Sequence, residues 1–251
     1  MNKEYYKAYS HQLGREMEVN IYGHAGKPCL VFPAQNGRFF DFENFGMVDA
    51  CASFIEEGKL QLFCVDSIDG ETWSNEAGDP RWRIERHEAW YRYICEELVP
   101  YIYAKNASGN GGQYASGLLT TGCSMGATHA ANFFFRRPDI FDAVIALSGY
   151  YSADMFFHGY MDDLVYQNSP IDFINGMSYD HPYVEQYRHH SIIICTGQGA
   201  WEDDMIRSTS RLKELLDYKD VPAWIDFWGY DVNHDWPWWR VQFPYFLGHL
   251  L

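Results

Sequence analysis

Long apolar segments are missing from this sequence. No stretch approaches the ~18 consecutive apolar residues that span a bilayer, and even the run at residues 143–147 is bounded on both sides by polar residues. The first residues include Glu4 and lack the ~7–15-residue apolar core of a signal peptide. We therefore expect a soluble, cytoplasmic protein without a membrane partner.

Positive charge is scarce as well. The chain has 19 Lys and Arg against 34 Asp and Glu, which gives a formal net charge of −15. A protein of this charge repels a nucleic-acid backbone unless a local basic patch overrides the global field. The densest basic pair in the middle of the chain, at residues 136–137, is typical of cations in the last turn of a helix. We expect no nucleic-acid partner, whereas the oligomeric state, including a homo-oligomer, stays open.

Cysteine pairs of the C-x-x-C type are absent too. The six cysteines are widely spread, mostly inside apolar runs such as residues 29–32 and 62–65, which predicts buried, reduced thiols. Ligand-type side chains occur at residues 203–204 and 234–235, but their spacing matches neither a zinc site nor an EF-hand. We therefore expect no metal, and the reaction predicted below needs no cofactor.

The sequence is rich in short apolar runs. Hydrophobic residues make up 47% and aromatic residues 18% of the 251, which is ample for a folded core. These runs alternate with helical patterns, which is typical of a mostly parallel sheet with crossover helices, so the predicted class is α/β. The predicted elements are an antiparallel edge strand at residues 17–21, further strands at 29–32, 60–65, 118–123, 143–148, 191–195 and 223–228, and helices at 45–57, 83–104, 125–134, 207–216 and 238–247.

Four features depart from this alternation. Pro100 and Pro244 fall inside predicted helices and should kink or break them. Residues 106–117 are rich in Gly and Ser, which predicts a surface loop. Residues 150–190 are aromatic with weak periodicity and could form a lid or cap. Since no linker marks a boundary, we expect a single domain over residues 1–251.

The run Gly-Cys-Ser-Met-Gly at residues 122–126 follows a predicted buried strand and precedes a helix-compatible segment. A strand, G-x-S-x-G and a helix form a nucleophile elbow, in which small residues beside a strained serine let neighbouring segments approach closely. Chance alone gives G-x-S-x-G in a chain of this length with a probability of about 0.1. The strand and helix on either side therefore predict that Ser124 is a nucleophile, with the Met125 N–H directed at a developing oxyanion.

A serine nucleophile needs a histidine to take its proton and a carboxylate to hold that histidine. When the three follow in the order Ser, acid, His, the histidine lies on a loop after the last strand, and His234 fits. His249 lies two residues from the C-terminus, where fraying is expected. His189 and His190 precede a strand, at the opposite edge of the sheet from such a site. His234 is therefore the predicted base.

The acid is expected in the loop after the penultimate strand, where three carboxylates occupy residues 202–204. We favour Glu202, with Asp203 as the alternative, although an acidic run is also ordinary at the start of a helix.

A second oxyanion donor is expected in the loop after the early strand at residues 29–32. The backbone N–H of Gln35 is the first choice and that of Asn36 the alternative, although Asn followed by Gly is also typical of an ordinary turn.

Taken together, these residues resemble the esterase branch of the α/β-hydrolase superfamily, which includes esterase D-type S-formylglutathione hydrolases, feruloyl esterases, enterochelin esterases and mycolyltransferases. The resemblance covers most of the chain and is carried by residues 32–35, 122–126, 168–170 and above all by His-Asp-Trp-Pro-Trp-Trp at 234–239. It implies an α/β-hydrolase fold whose site consists of Ser124, His234, an acid within residues 199–202, and the amides of Gln35 and Met125. Many members have His-Gly where this chain has Pro-Ala at residues 33–34.

The predicted reaction is hydrolysis of a small-molecule carboxylic ester through an acyl-enzyme on Ser124, with His234 as base. Acyl transfer to a sugar or alcohol with the same residues is one alternative, and an inactive ligand-binding protein on this fold is another. Aromatic side chains in loops near the expected site are candidates for a substrate pocket, although packing would also explain each of them. They are Trp73, Trp201, Phe156, Phe157 and Trp236.

Overall fold

The computed structural model describes all 251 residues and contains one eight-stranded sheet. Its strands are β1 (Lys3–Ser10), β2 (Arg15–Tyr22), β3 (Lys27–Phe32), β4 (Leu60–Val65), β5 (Leu118–Cys123), β6 (Phe141–Leu147), β7 (Ser191–Thr196) and β8 (Trp224–Phe227). Their spatial order is β1-β2-β4-β3-β5-β6-β7-β8. The pairs β1–β2 and β2–β4 are antiparallel, whereas β3 to β8 all run parallel. The predicted α/β class with a mostly parallel sheet is confirmed.

Helices cover both faces of this sheet. They are α1 (Asp41–Asn44), α2 (Met47–Ala50), α3 (Ala52–Glu56), α4 (Pro80–Arg92), α5 (Val99–Gly109), α6 (Met125–Arg136), α7 (Asp154–Phe157), α8 (Asp163–Gln167), α9 (Pro170–Gly176), α10 (Pro182–Tyr187), α11 (Asp203–Tyr218) and α12 (Trp236–Leu250). A 3₁₀ turn covers Asp69–Glu71, and a π-helical turn, Tyr93–Leu98, joins α4 to α5. No helix combines the length and the apolar composition that crossing a membrane requires.

The parallel strands are buried on both faces, which explains their continuous apolar sequences. Along β3, Leu30 and Phe32 belong to one buried cluster, whereas Cys29 and Val31 belong to another, because successive side chains of a strand point to opposite faces. Helices α4, α5, α6 and α11 complete the first cluster, and α1, α2, α3 and α12 complete the second. All six cysteines are buried and none forms a disulfide.

The strand at residues 17–21 is confirmed as part of β2, but its predicted place at the sheet edge is wrong. β1 lies outside it and pairs with it along its whole length. β1 is half exposed and contains Lys3, Glu4 and Lys7, charges that keep an edge strand from pairing with other chains. Such a sequence does not look like a buried strand. The other predicted strands agree with the structure to within two residues.

The helix predicted at residues 45–57 is wrong, because the segment forms two short helices, α2 and α3. Gly46 has a left-handed φ of 76° before α2, and Cys51 interrupts the helical path between the two with a φ of −110°. The loop predicted at residues 106–117 is also partly wrong, because α5 continues to Gly109. The buried Asn106 amide donates to the carbonyl of Gly26, which ties this last turn of α5 to the turn before β3.

The two prolines behave differently. The interruption expected near Pro100 is confirmed as the π-helical turn that precedes it, because a proline supplies no N–H to the carbonyl of the preceding turn. Pro244 does not break α12, which is continuous from Trp236 to Leu250. The segment at residues 150–190 contains helices α7 to α10, which lie between β6 and β7 in the sequence.

The carboxyl ends of the six parallel strands meet at one edge of the sheet. The loops that follow β3, β5, β7 and β8 carry Gln35, Ser124, Glu202 and His234, respectively. Loops at this edge are where α/β sheets place their ligands. The topology therefore brings together residues that are up to two hundred positions apart in the sequence.

Candidate active site

Ser124 occupies the sharp turn between β5 and α6. Its φ of 57° and ψ of −124° lie outside the backbone regions that residues with a Cβ prefer, so the turn holds Ser124 in a strained conformation. A Cβ on Gly122 would overlap the backbone of Gly126, and a Cβ on Gly126 would overlap the carbonyl of Phe32. The two glycines are therefore required by the close approach of α6 to β5 and to the end of β3.

His234 lies directly beside this serine. Its Nε2 is 2.8 Å from the Ser124 Oγ, a hydrogen-bonding distance. The loop after β8 is held against the loop after β7, because the His234 N–H donates to the Ala200 carbonyl at 3.0 Å and the Ala200 N–H donates to the Asn233 side chain at 2.8 Å. These two bonds hold the backbone that carries the His234 side chain against the loop that carries Glu202.

Glu202 lies behind the histidine. Its Oε2 is 3.4 Å from His234 Nδ1, and its side chain is completely buried. This separation is longer than a normal N–H···O bond, and such contacts often tighten when a substrate binds. Asp203, the alternative acid, is exposed at the first position of α11. Of the two candidate acids, Glu202 is the one within reach of His234.

Two hydroxyl groups hold the Glu202 carboxylate. Ser148 Oγ donates to Oε1 at 2.6 Å, and Thr196 Oγ1 donates to Oε2 at 2.9 Å. The Trp239 indole N–H in turn donates to Ser148 Oγ at 3.1 Å, and its ring lies edge-on to His234 with 5.0 Å between centroids. These hydrogen bonds offset much of the cost of burying a carboxylate.

Sequence reasoning missed Ser148 and Thr196, which hold Glu202, and Trp239, which holds Ser148. Ser148 directly follows β6 and Thr196 ends β7, so both are polar residues at the carboxyl ends of buried strands. That position is a usable signal, because the sheet edge where parallel strands end is where ligands bind. Trp239 lies within the His-Asp-Trp-Pro-Trp-Trp segment, but no pattern indicates which of its tryptophans faces inward.

The candidate oxyanion donors lie on two different segments. Met125 is the first residue of α6, where a backbone N–H has no preceding helical carbonyl to bond. The N–H of Gln35 donates to no backbone carbonyl, whereas the N–H of Asn36 donates to the Asp69 carboxylate at 3.2 Å. Gln35 and Met125 therefore offer free donors, and the N–H of Asn36 is already engaged.

The five aromatic residues proposed for a pocket lie in three places. Trp73, Phe156 and Phe157 are buried in one cluster, with Met125 among its members. Trp236 stacks on Phe45 with 4.3 Å between ring centroids. Trp201, next to Glu202, is 84% exposed and has a left-handed φ of 67°.

Nowhere do three His, Cys, Asp or Glu side chains converge as the ligands of one metal ion would.

A family model and several solved structures match this chain. The model of the family described as "Putative esterase" matches residues 10–250. No curated protein matches the chain in sequence. Among solved structures, a ferulic acid esterase superposes with a TM-score of 0.75 at 15% identity, covering 99% of this chain and 97% of that chain.

Two further structures resemble this one. An S-formylglutathione hydrolase from Agrobacterium tumefaciens has a TM-score of 0.73 at 15% identity, with 98% of this chain and 93% of that chain covered. Fluorophosphonate-binding serine hydrolase F of Staphylococcus aureus has a TM-score of 0.70 at 14% identity, with 99% and 98% covered. At these identities the likeness shows a shared fold, and the predicted α/β-hydrolase fold is confirmed.

Proposed function

Because the chain belongs to this esterase family, we propose that it is a serine carboxylic-ester hydrolase that forms an acyl-enzyme on Ser124. The observation that carries the proposal is the continuous contact from Ser124 Oγ through His234 to the buried Glu202, at 2.8 and 3.4 Å. A nucleophile, a base and an orienting carboxylate in contact are what activates a serine hydroxyl at neutral pH.

In the proposed reaction, His234 Nε2 takes the proton of Ser124 Oγ as that oxygen attacks the ester carbonyl carbon. The tetrahedral intermediate collapses, and the leaving alcohol takes the proton from His234. Water then attacks the acyl-enzyme while giving a proton to the same nitrogen, and the second collapse releases the acid and restores Ser124. No step needs a group beyond the chain, the ester and water.

Glu202 has two tasks in this scheme. Its negative charge stabilises the imidazolium form of His234 in each tetrahedral intermediate, and burial strengthens the attraction because water does not screen it. Its position 3.4 Å from Nδ1 also favours the tautomer with the proton on that nitrogen, which leaves Nε2 free to accept from Ser124. Ser148 and Thr196 keep the carboxylate in place.

The N–H groups of Gln35 and Met125 are proposed to bind the oxyanion. Both are main-chain donors with no competing helical or backbone acceptor, so they are free to donate to an oxyanion when it forms. The cluster of Trp73, Phe156 and Phe157, which includes Met125, is the proposed wall of the acyl pocket.

The test is hydrolysis of p-nitrophenyl esters from acetate to octanoate by the wild type and by Ser124→Ala. We expect Ser124→Ala to lose at least about 10⁴-fold in kcat, whereas Ser53→Ala, at an exposed serine on α3, should match the wild type. A fluorophosphonate probe should label the wild type and Ser53→Ala but not Ser124→Ala. A folded wild type that neither turns over any ester nor takes the label would indicate a ligand-binding protein instead.

A further inference from the structure

A second carboxylate–histidine pair lies inside the molecule and takes no part in the proposed reaction. His129 is completely buried and Asp69 is 2% exposed. His129 Nε2 is 2.9 Å from Asp69 Oδ1. Burying two ionisable side chains costs desolvation free energy, so this pair needs a structural or functional explanation.

Aromatic rings surround His129. Its ring centroid lies 5.1 Å from that of Trp90, 5.5 Å from that of His87 and 5.9 Å from that of Trp73. Its Nδ1 has no partner, and Asp69 is its only polar contact. With the proton on Nε2, the ring donates to Asp69 and leaves only a bare acceptor unpaired, the less costly arrangement.

The other oxygen of Asp69 faces the loop after β3. Asp69 Oδ2 accepts the N–H of Asn36 at 3.2 Å. Asn36 has a left-handed φ of 57°, a conformation that asparagine tolerates but that still requires support from its surroundings. The Asp69 carboxylate supports Asn36 in this conformation. Asn36 directly follows Gln35, whose N–H is a proposed oxyanion donor.

The first part of this loop, residues 33–36, is connected to α6 at two points. At its start, the carbonyls of Phe32 and Pro33 lie so close to Gly126 that a Cβ there would overlap them. At Asn36, the N–H donates to Asp69, which in turn contacts His129, one turn further along α6. The first residue of α6 is Met125, the other proposed oxyanion donor.

We infer that Asp69 and His129 are positioning residues that fix the N–H of Gln35 relative to the N–H of Met125 and so preform the oxyanion hole. The inference rests on the proposed function, because it assigns the pair a role only if an oxyanion forms at Ser124. Preformed donors need no reorganisation during the reaction, and a displacement of about 1 Å at such a site can cost about 100-fold in rate.

The experiment compares Asp69→Ala and Asp69→Asn with the wild type on p-nitrophenyl acetate, with kcat normalised by fluorophosphonate titration of active sites. An arylboronic acid is the second probe, because its tetrahedral adduct with a serine places an oxygen in the oxyanion hole. We expect Asp69→Ala to lose about 10- to 100-fold in kcat, with a similar rise in the boronate inhibition constant and KM within about threefold. A merely structural role would lower the active fraction but leave the boronate constant unchanged.

Asp69→Asn should restore most of the activity, to within about fivefold of the wild type. Its amide oxygen can still accept from Asn36, and its NH₂ can donate to His129 in the other tautomer. His129→Leu should behave like Asp69→Ala and carries the test if that variant does not fold. The matched control is His87→Leu, since His87 is equally buried and stacked on His129 but hydrogen-bonds only Trp73.

If the wild type neither hydrolyses esters nor takes the fluorophosphonate label, the proposed function itself is wrong. If the wild type is active but Asp69→Ala and His129→Leu keep the wild-type boronate constant within about twofold, the positioning role is wrong while the proposed function stands. An equal loss of boronate affinity in His87→Leu would also overturn it, because the effect would then belong to the aromatic cluster as a whole.

Discussion

Glu202–His234 and Asp69–His129 are two carboxylate–histidine pairs that differ in exposure and in surroundings. The His234 side chain is partly exposed and touches Ser124, whereas His129 is enclosed by aromatic rings and touches no nucleophile. Glu202 is held by two hydroxyl groups, whereas Asp69 itself holds a backbone N–H. A carboxylate–histidine pair is therefore not by itself evidence of catalysis. His234 can exchange a proton with Ser124 because it contacts that side chain, whereas the His129 side chain hydrogen-bonds only to Asp69 and can serve to hold the chain in place.

The largest effect that separates the two pairs is expected from Glu202→Gln. The amide removes the charge that stabilises protonated His234 and can favour the wrong tautomer, so kcat should fall by about 10²- to 10⁴-fold with KM little changed. Asp203→Asn, at the neighbouring exposed carboxylate, should stay within about twofold of the wild type. Steady-state kinetics on p-nitrophenyl acetate checks both, and a larger loss in Asp203→Asn would transfer the role of the acid to Asp203.

A smaller effect is expected from the residues that hold Glu202. Ser148→Ala removes the hydroxyl between Trp239 and Glu202, so one hydrogen bond to the buried carboxylate is lost and the Trp239 N–H is left unpaired. We expect about a 10-fold lower kcat and a free energy of unfolding lower by about 1–3 kcal/mol. Trp239→Phe keeps the Ser148–Glu202 bond and should lose less kcat. Kinetics and urea denaturation of both variants test this order, which equal losses in kcat would contradict.

The smallest effect concerns stability and belongs to the aromatic region around His129. Burial, reinforced by the charge of the neighbouring Arg136, holds the pKa of His87 well below its ordinary value of 6.5. The folded protein therefore keeps His87 neutral at a pH where the unfolded chain takes up a proton. Below about pH 6.5, His87 makes the free energy of unfolding fall as the pH falls.

Denaturation of the wild type and of His87→Leu at about pH 7.5 and about pH 5.5 isolates this contribution, because the other titrating groups are common to both proteins. The difference in the free energy of unfolding should move by about 1 kcal/mol in favour of His87→Leu at the lower pH. A difference that stays constant between the two pH values would mean that His87 is protonated equally in both states.

Local patterns in the sequence predicted the frame of the site. Continuous apolar runs identified the buried parallel strands, because both faces of those strands lie against the core. The G-x-S-x-G run placed Ser124 at the end of β5, and the order of the loops brought His234 to the same edge of the sheet. Each of these predictions starts from a pattern formed by residues that are close together in the sequence.

Sequence reasoning missed the charged strand β1 because that strand is half exposed and has no apolar run, although it pairs with its neighbour in the sequence, β2. Two of the missed side-chain contacts join residues that are far apart in the sequence. The contact of Ser148 with Glu202 spans 54 positions, and that of Asp69 with His129 spans 60. No local pattern predicts such contacts, because the sequence around a buried polar residue does not indicate which distant residue it will contact in the fold.

The most direct test of the account is to look for the acyl-enzyme itself. Wild-type protein mixed with p-nitrophenyl acetate, quenched in acid within the first turnovers and digested, should give the peptide containing Ser124 with one added acetyl group. Ser124→Ala should give no acetylated peptide, and Glu202→Gln should acquire the group more slowly. Steady hydrolysis by the wild type with the acetyl group on another residue, or with no acetylated peptide at any time, would contradict the assignment of Ser124 as the nucleophile.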